Sequence, residues 1–564
     1  MKKLLTYILT MTLCLSLFSG CIPIEKLNSN AVPANAIKLK LMIGNDKDWV
    51  FENVKSIIKS NNITVNGKPI YISYDKAGTG EAMDKILADG SDYVGWMPAS
   101  STHVQWANDL WFKKGHTKPI VDTNYTTVFL TPTVIAMQES LAKLMGYPEK
   151  KIGWKDIFEL STATNGWGMY NKSVLNPVRF AHTHPAKSNS GLNALIAEEY
   201  AFSGKQKGLT LQDVTSNSEK IKKVEETIVH YGESTSLLQK KIMEKGPKFV
   251  QYAVLYEYMV AGMNKMNTTG KEKVVAIYPS EGTIWGDVCF TNVYTTNVTN
   301  DQKLALDQVK KILLSPQVQR MGMDQYFFRP ASPDISLSNA ISLENGVNPN
   351  EPQTTLELPK IEVVNAILDD WLKNMKKRAN VVFVMDTSGS MRGEPFENTK
   401  EALKNLFNKQ LQQKNYTSID DQDTISLLPF NTQTAEPFSV IGKDIDQMNM
   451  VMDNISPSGT TCFYDSVFKA IQLSNKIKEQ QKDKKINIIV ALTDGADTSS
   501  QMTYSQLIEY IEKQEGTLPV IITIGYGKVE KSILEEIADK TGGKYYEGDP
   551  QKIKKVFEEI KTFF

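Results

Sequence analysis

Apolar residues along the chain change period from one short segment to the next. Residues 37–44 (IKLKLMIG) read as a strand, and 48–61 (DWVFENVKSIIKSN) space their apolar positions for a helix. Residues 68–75 (KPIYISYD) return to strand, 80–90 (GEAMDKILADG) to helix and 91–98 (SDYVGWMP) to strand. This alternation predicts a parallel α/β sheet, in which ligands bind outside the carboxyl ends of the strands. The pattern recurs after residue 378 with longer apolar runs. Residues 379–386 (ANVVFVMD), 423–430 (DTISLLPF), 486–494 (INIIVALTD) and 518–527 (LPVIITIGYG) are strand-length and continuous, as for strands buried on both faces. Helical patterns at 397–411, 462–479, 503–513, 531–542 and 550–564 separate or follow them. The expectation is a doubly wound sheet with Asp386 and Asp494 at strand carboxyl ends. Between the two regions, residues 358–377 are amphipathic with Trp371 on the apolar side, and are expected to pack back on the first module.

The first residues follow another logic. Lys2 and Lys3 precede an apolar stretch from Leu4 to Phe18 and then Ser19-Gly20-Cys21. A basic start, a short apolar run and small residues before a cut site describe an export signal over 1–20. The run is shorter than the ~18 residues of a spanning helix. "FSGC" resembles a bacterial lipobox, with phenylalanine where leucine is usual, which implies lipidation of Cys21. The mature chain is then expected to begin at Cys21, anchored to the extracytoplasmic face of a bacterial membrane. Residues 21–36 carry Asn, Ser and Pro without a period and read as a flexible stalk.

A length of 564 residues exceeds one core and predicts several domains. Lys+Arg and Asp+Glu are both 64, so no basic excess points to nucleic acid. Four cysteines, none in a CxxC, exclude a disulfide scaffold or zinc cluster. There is no nucleophile elbow, no P-loop lysine motif and no HExxH, so no enzyme is expected. The pair His182 and His184 in "AHTHP" is read as packing or hinge hydrogen bonding rather than a metal site.

Two loops in the first region precede helices with small polar residues: Gly78-Thr79-Gly80, and Ser188-Asn189-Ser190-Gly191. Backbone N–H groups at a helix start, with hydroxyls among them, suit an anion or serve as ordinary caps. The stretches "YDKAGTGEAMDKILADGSDYVGWMPASS", "HTHPAKSNSGLNALIAEEYAF" and "VVAIYPSEGTIW" resemble type 2 periplasmic-type solute-binding proteins, the receptors often paired with ABC importers. The resemblance implies two α/β lobes over 37–377 that close on a ligand about a hinge. It maps ligand contacts onto Asn45, Asp46, Gly78, Thr79, Gly80, Ser100 and Ser101. In the second lobe it maps them onto Ser188, Asn189, Ser190, Ser280, Glu281 and Thr283. The implied ligand is a small polar or anionic solute, although Asp46 and Glu281 add carboxylates that an anion disfavours.

In the second region Asp386, Ser388 and Ser390 form D-x-S-x-S, which aims three oxygen side chains one way from an extended loop. Gly389 is expected to permit a sharp turn. A carboxylate with hydroxyls suits a hard divalent ion, Mg²⁺ or Mn²⁺. Other strand ends offer Thr461 in "PSGTTCFYD" and Asp494 in "ALTDGADTSS". Asp386, Ser388, Ser390, Thr461 and Asp494 resemble the metal-ion-dependent adhesion site of von Willebrand factor A domains, as in integrin I domains, over 378–564. "SGTT" stands where "GGT" is commoner, and Thr461, four residues before Asp465, is taken as the ligand over Thr460. The resemblance implies that a partner protein's carboxylate completes the metal shell. The expectation is a lipid-anchored binding protein with a metal-dependent protein-recognition head and a solute-binding-like module. The alternative is an importer-type solute receptor with an accessory A domain.

Overall fold

Two sheets organise the chain. The structure, a computed structural model, describes residues 32–173, 177–267, 270–294, 298–408, 419–480, 485–514, 518–527, 529–549 and 553–563. The expected signal sequence, Cys21 and most of the expected stalk lie outside them. Among the described residues no helix is long and apolar enough to cross a membrane.

The first sheet is built around one long strand, Thr126–Gln138. Its first half pairs with Trp285–Asn292, which continues through Gly95–Met97 and Ile37–Ile43 to Lys68–Lys76. Its second half pairs with Tyr252–Tyr256 and Val274–Ile277, and the sheet goes on to Phe180–Thr183 and Ile228–Gly232. Two lobes result, each with parallel strands, joined by Thr126–Gln138, which pairs antiparallel with strands of both. The lobe containing Ile37–Ile43 buries Leu39, Leu41, Phe51, Phe129 and Phe290 in one cluster.

The helix Asn189–Ser203 is enclosed on every side: every residue from Asn189 to Ala201 is buried, including Glu198 and Glu199. The helix Leu211–Glu225 and the segment 361–375 cover the face that would otherwise meet water. That segment forms a helix, Ile361–Asp370, and a π-helical turn, Trp371–Met375. Trp371 is fully buried, stacks edge-on against His184 at 4.9 Å, and donates its indole N–H to Glu225 at 2.8 Å.

The second sheet has the order Phe438–Ile441, Thr424–Phe430, Ala379–Asp386, Ile486–Thr493, Val520–Tyr526, Tyr545–Gly548. Only the Phe438–Ile441 edge is antiparallel. Every residue of Ala379–Asp386 is buried, because helices cover both faces: Phe463–Gln480 and Tyr504–Lys513 on one, Glu394–Phe407 and Ile553–Ile560 on the other.

The modules meet at the amino ends of this second sheet. Lys544, just before Tyr545–Gly548, pairs with both oxygens of Glu233 at 2.9 Å. Lys241 donates to the Gly542 carbonyl, and Phe563 lies edge-on to His230 at 5.7 Å. Gly542 is in the left-handed region (φ 79°), and a Cβ there would lie 2.7 Å from Phe249. Eight-residue strands put the carboxyl ends roughly 25 Å from this junction.

Candidate metal site and interlobe cavity

Asp386 ends its strand fully buried, and each carboxylate oxygen has a donor. Oδ1 accepts from the Ser388 N–H at 2.8 Å and Oδ2 from the Thr493 hydroxyl at 2.7 Å. The chain then makes a short turn, Gly389–Met391, that sets Ser388 Oγ 3.0 Å from Ser390 Oγ. Ser390 donates to Asp494 Oδ1 at 2.8 Å. Asp494 follows Thr493, the last residue of the neighbouring strand. Four of the five expected ligands therefore converge through direct hydrogen bonds and one shared neighbour, Thr493. That threonine escaped the sequence reading; its signal was its place directly before Asp494.

Gly389 has a different reason from the one expected. Its φ is not in the left-handed region. Its N–H donates to the Gly459 carbonyl at 3.0 Å, and a Cβ would stand 3.2 Å from that oxygen. The missing side chain lets the loop bearing Thr461 close over the turn. Thr461 is buried, and its carbonyl accepts from Thr498 N–H at 2.8 Å and Ser499 N–H at 3.1 Å. These bonds fasten its loop to the one that carries Asp494. The Thr460 hydroxyl is committed to Thr432 and Ser499.

Burial pushes the carboxyls of Asp386 and Asp494 above the ordinary aspartate range, and the charge of Asp386 pushes Asp494 further. Hydrogen bonds from Ser388, Thr493 and Ser390 offset this only in part. Among the described residues neither carboxylate has a cationic partner. An all-oxygen donor set with two unneutralised carboxylates fits a hard divalent cation. Ser390 is exposed and Asp494 partly so, which leaves the site open on the side away from the first module.

The cleft between the lobes is nearly closed. Gly80 N–H donates to the Lys187 carbonyl at 3.0 Å and Lys187 pairs with Asp84 at 2.7 Å. A cavity of about 50 Å³ remains, against the roughly 10–15 Å³ that one water needs. Of the residues expected to touch a solute, Asn45, Asp46, Gly78, Thr79, Ser188 and Asn189 line it. Ser234, Thr235 and Ser236, at the start of the helix Thr235–Lys245, line it too and were not anticipated. Nor was Tyr258, which donates to Asp46, or Lys47, whose ammonium lies 2.7 Å from Asp46. Burial pushes the Asp46 carboxyl up, but Lys47 and Tyr258 outweigh it and hold it below the usual range. The carboxylate expected to repel an anion is thus already matched by a lysine. Asn189 donates to Tyr256 at 2.9 Å, and its buried Oδ1 has no partner among the described residues.

The other expected contacts are corrected. Glu281 accepts from Trp154 N–H at 3.0 Å and Lys155 N–H at 3.1 Å, where it caps the helix Trp154–Thr162. Ser280 N–H donates to Ile152, and Thr283 N–H to Thr354. Ser280, Glu281 and Thr283 join this capping and bridging structure and do not line the cavity. Ser100 hydrogen-bonds Thr102, and Ser101 N–H donates to Asp287, so both are buried in local structure. Ser190 bonds Thr183 and Thr235, behind the cavity wall. The Gly80 N–H, expected to be free, serves lobe closure. His182 pairs with Glu225 at 2.7 Å and with the Thr183 carbonyl, a packing role.

Residues 380–559 match the family described as the von Willebrand factor type A domain. Among curated proteins, the inter-alpha-trypsin inhibitor heavy chain H4 of Sus scrofa is 25% identical over 169 residues, 29% of this chain and 17% of that protein. The human H4 chain is 25% identical over 251 residues, 43% of this chain and 24% of that protein. The chain spans a quarter or less of the length of these relatives. Among solved structures, a periplasmic thiamin binding protein covers 59% of this chain and 95% of its own, with a TM-score of 0.43 and 13% identity.

Proposed function

We propose that this chain is a non-enzymatic, cation-dependent binding protein. Its von Willebrand factor type A module holds Mg²⁺ or Mn²⁺ through Asp386, Ser388, Ser390, Thr461 and Asp494. A carboxylate from a protein partner occupies the remaining position. Such domains commonly mediate metal-dependent protein interaction. The observation that carries the reading is the pair of carboxylates raised by burial, without a cationic neighbour, ringed by hydroxyls and open at one side. The ion supplies charge neutralisation and a ligand position; the chain fixes the oxygens around it. The sequence before residue 37 supports lipid attachment at Cys21 and display on the outer face of a bacterial membrane.

Titration calorimetry of the full chain with Mg²⁺, repeated on Asp386→Ala, tests the site. A pull-down with and without chelator then tests the partner. Mg²⁺ binding that is absent in wild type, or unchanged in Asp386→Ala, overturns the reading.

The cavity favours a second reading, an importer-type solute receptor in which the A domain is accessory. Its support is the convergence of helix starts Thr79, Asn189 and Thr235 on a space sized for a small ion. A saturable thermal shift with a small inorganic anion, lost in Thr235→Val, is expected on that reading. No shift across a panel of such anions counts against it.

A further inference from the structure

The loops around the metal site have an unusual composition for a protein-binding face. They comprise residues 387–394, 431–436, 456–461 and 494–502, and none of their large apolar side chains is exposed. Thr432, Gln433, Ser456, Ser458, Thr460, Thr498 and Gln501 are exposed. Protein interfaces draw most of their affinity from buried aromatic, aliphatic or arginine anchors. Here only the arginine is present. Arg392 lies two residues after Ser390, its Cα within ~7 Å along the chain. Its Nε–H donates to the Pro457 carbonyl at 3.1 Å, which ties the guanidinium to the loop that bears Thr461. The residue is exposed, and among the described residues no carboxylate forms an ion pair with it.

Charge balance gives this arginine a use. Asp386 and Asp494 together carry two negative charges, which a divalent cation cancels. An incoming carboxylate then leaves the site one charge negative. The metal holds the first carboxylate; the remaining N–H groups of Arg392 at the same rim can take a second acidic group in a planar, two-point contact that the arginine's own charge balances.

We infer that the metal face selects an acidic peptide segment of a hydrophilic partner, with one carboxylate for the metal and a second for Arg392. This rests on the proposed reading of the metal site. Arg392 is then a specificity residue, not a metal ligand.

The test uses the full chain and two synthetic peptides made otherwise of Gly and Ser. One bears a single Glu, and the other a Glu and an Asp two residues apart. Binding is measured in Mg²⁺ and in chelator, beside Mg²⁺ affinity measured alone. The expected result is Mg²⁺-dependent binding with about a tenfold preference for the two-acid peptide. Arg392→Gln removes the preference and leaves Mg²⁺ affinity unchanged; Arg392→Lys restores part of it. If Arg392→Gln keeps the preference, or lowers Mg²⁺ affinity and both peptides together, the arginine only braces the loops and the inference is overturned. If wild type binds Mg²⁺ but both peptides equally, the inference also fails while the metal site stands. If neither Mg²⁺ nor Mg²⁺-dependent peptide binding is seen, the underlying reading fails as well.

Discussion

Glu199 is fully buried beneath the segment that leads to the second module, and Glu199→Gln measures what that burial costs. One carboxylate oxygen accepts from the Asn217 side-chain amide at 2.8 Å, and the other has no partner among the described residues. Burial, with the charges of Asp370 and Asp213 adding to it, pushes the carboxyl up to about 8 despite the Asn217 hydrogen bond. An unfolded glutamate titrates near 4.3, so the unfolded chain releases this proton first. The carboxyl's contribution to stability is therefore fully present below pH ~4 and is lost as pH rises through about 8. Between pH 4 and pH 7 the loss is on the order of 3–4 kcal/mol, growing to ~5 kcal/mol by pH 9. A glutamine keeps an acceptor for Asn217 and never ionises. The stability difference, Glu199→Gln minus wild type, should widen in the variant's favour by about that amount from pH 4 to pH 7. Urea denaturation followed by tryptophan fluorescence reads it cleanly, since all 8 tryptophans precede residue 378. Constant offsets from repacking cancel in the comparison across pH. A difference that stays flat from pH 4 to pH 8.5 would show that Glu199 titrates normally in the fold, and would refute the reasoning.

Asp494→Ala should abolish the rise in melting temperature that Mg²⁺ gives wild type, while making the metal-free protein more stable at pH 7, because a raised carboxylate beside Asp386 is removed. Since both folded-state values are raised, metal-free wild type should also gain relative to this variant as pH falls from 7 towards 4; an unchanged gap argues against the repulsion. At the module junction, Lys544→Met leaves Glu233 partly buried without its cation. A loss of about 1–3 kcal/mol in thermal or urea unfolding is expected, and a loss below ~0.5 kcal/mol would mean that the pair does not hold the modules. Gly542→Ala combines a positive φ with a Cβ 2.7 Å from Phe249, and about 2 kcal/mol of destabilisation by the same measurement is the expected cost.

The residues that were legible in advance share one property: their role follows from neighbours close in sequence. The apolar run ending at Asp386 has the length and continuity of a buried strand, and the oxygens that follow it do meet, although through the short turn Gly389–Met391 and not the extended loop expected. Gly78-Thr79-Gly80 and Ser188-Asn189 announce helix starts, and both reach the cavity. What sequence could not show is who answers whom across the fold. Glu281 looked like a solute ligand, yet its carboxylate serves Trp154 and Lys155, more than a hundred positions away. Gly80 offered a free N–H that Lys187 accepts. Glu198 and Glu199 are charged residues that nothing local would bury, and it is the packing of Leu211–Glu225 and Ile361–Asp370 on the helix Asn189–Ser203 that encloses them. The same distinction explains the two sites' different states. The metal site's carboxylates find hydrogen-bond donors in each other's loops, Thr493 for Asp386 and Ser390 for Asp494, but no positive charge among the described residues, so a cation is what they lack. The cavity's one acid, Asp46, has already found Lys47 and Tyr258 from within the protein, so a solute there must compete with contacts the chain makes for itself.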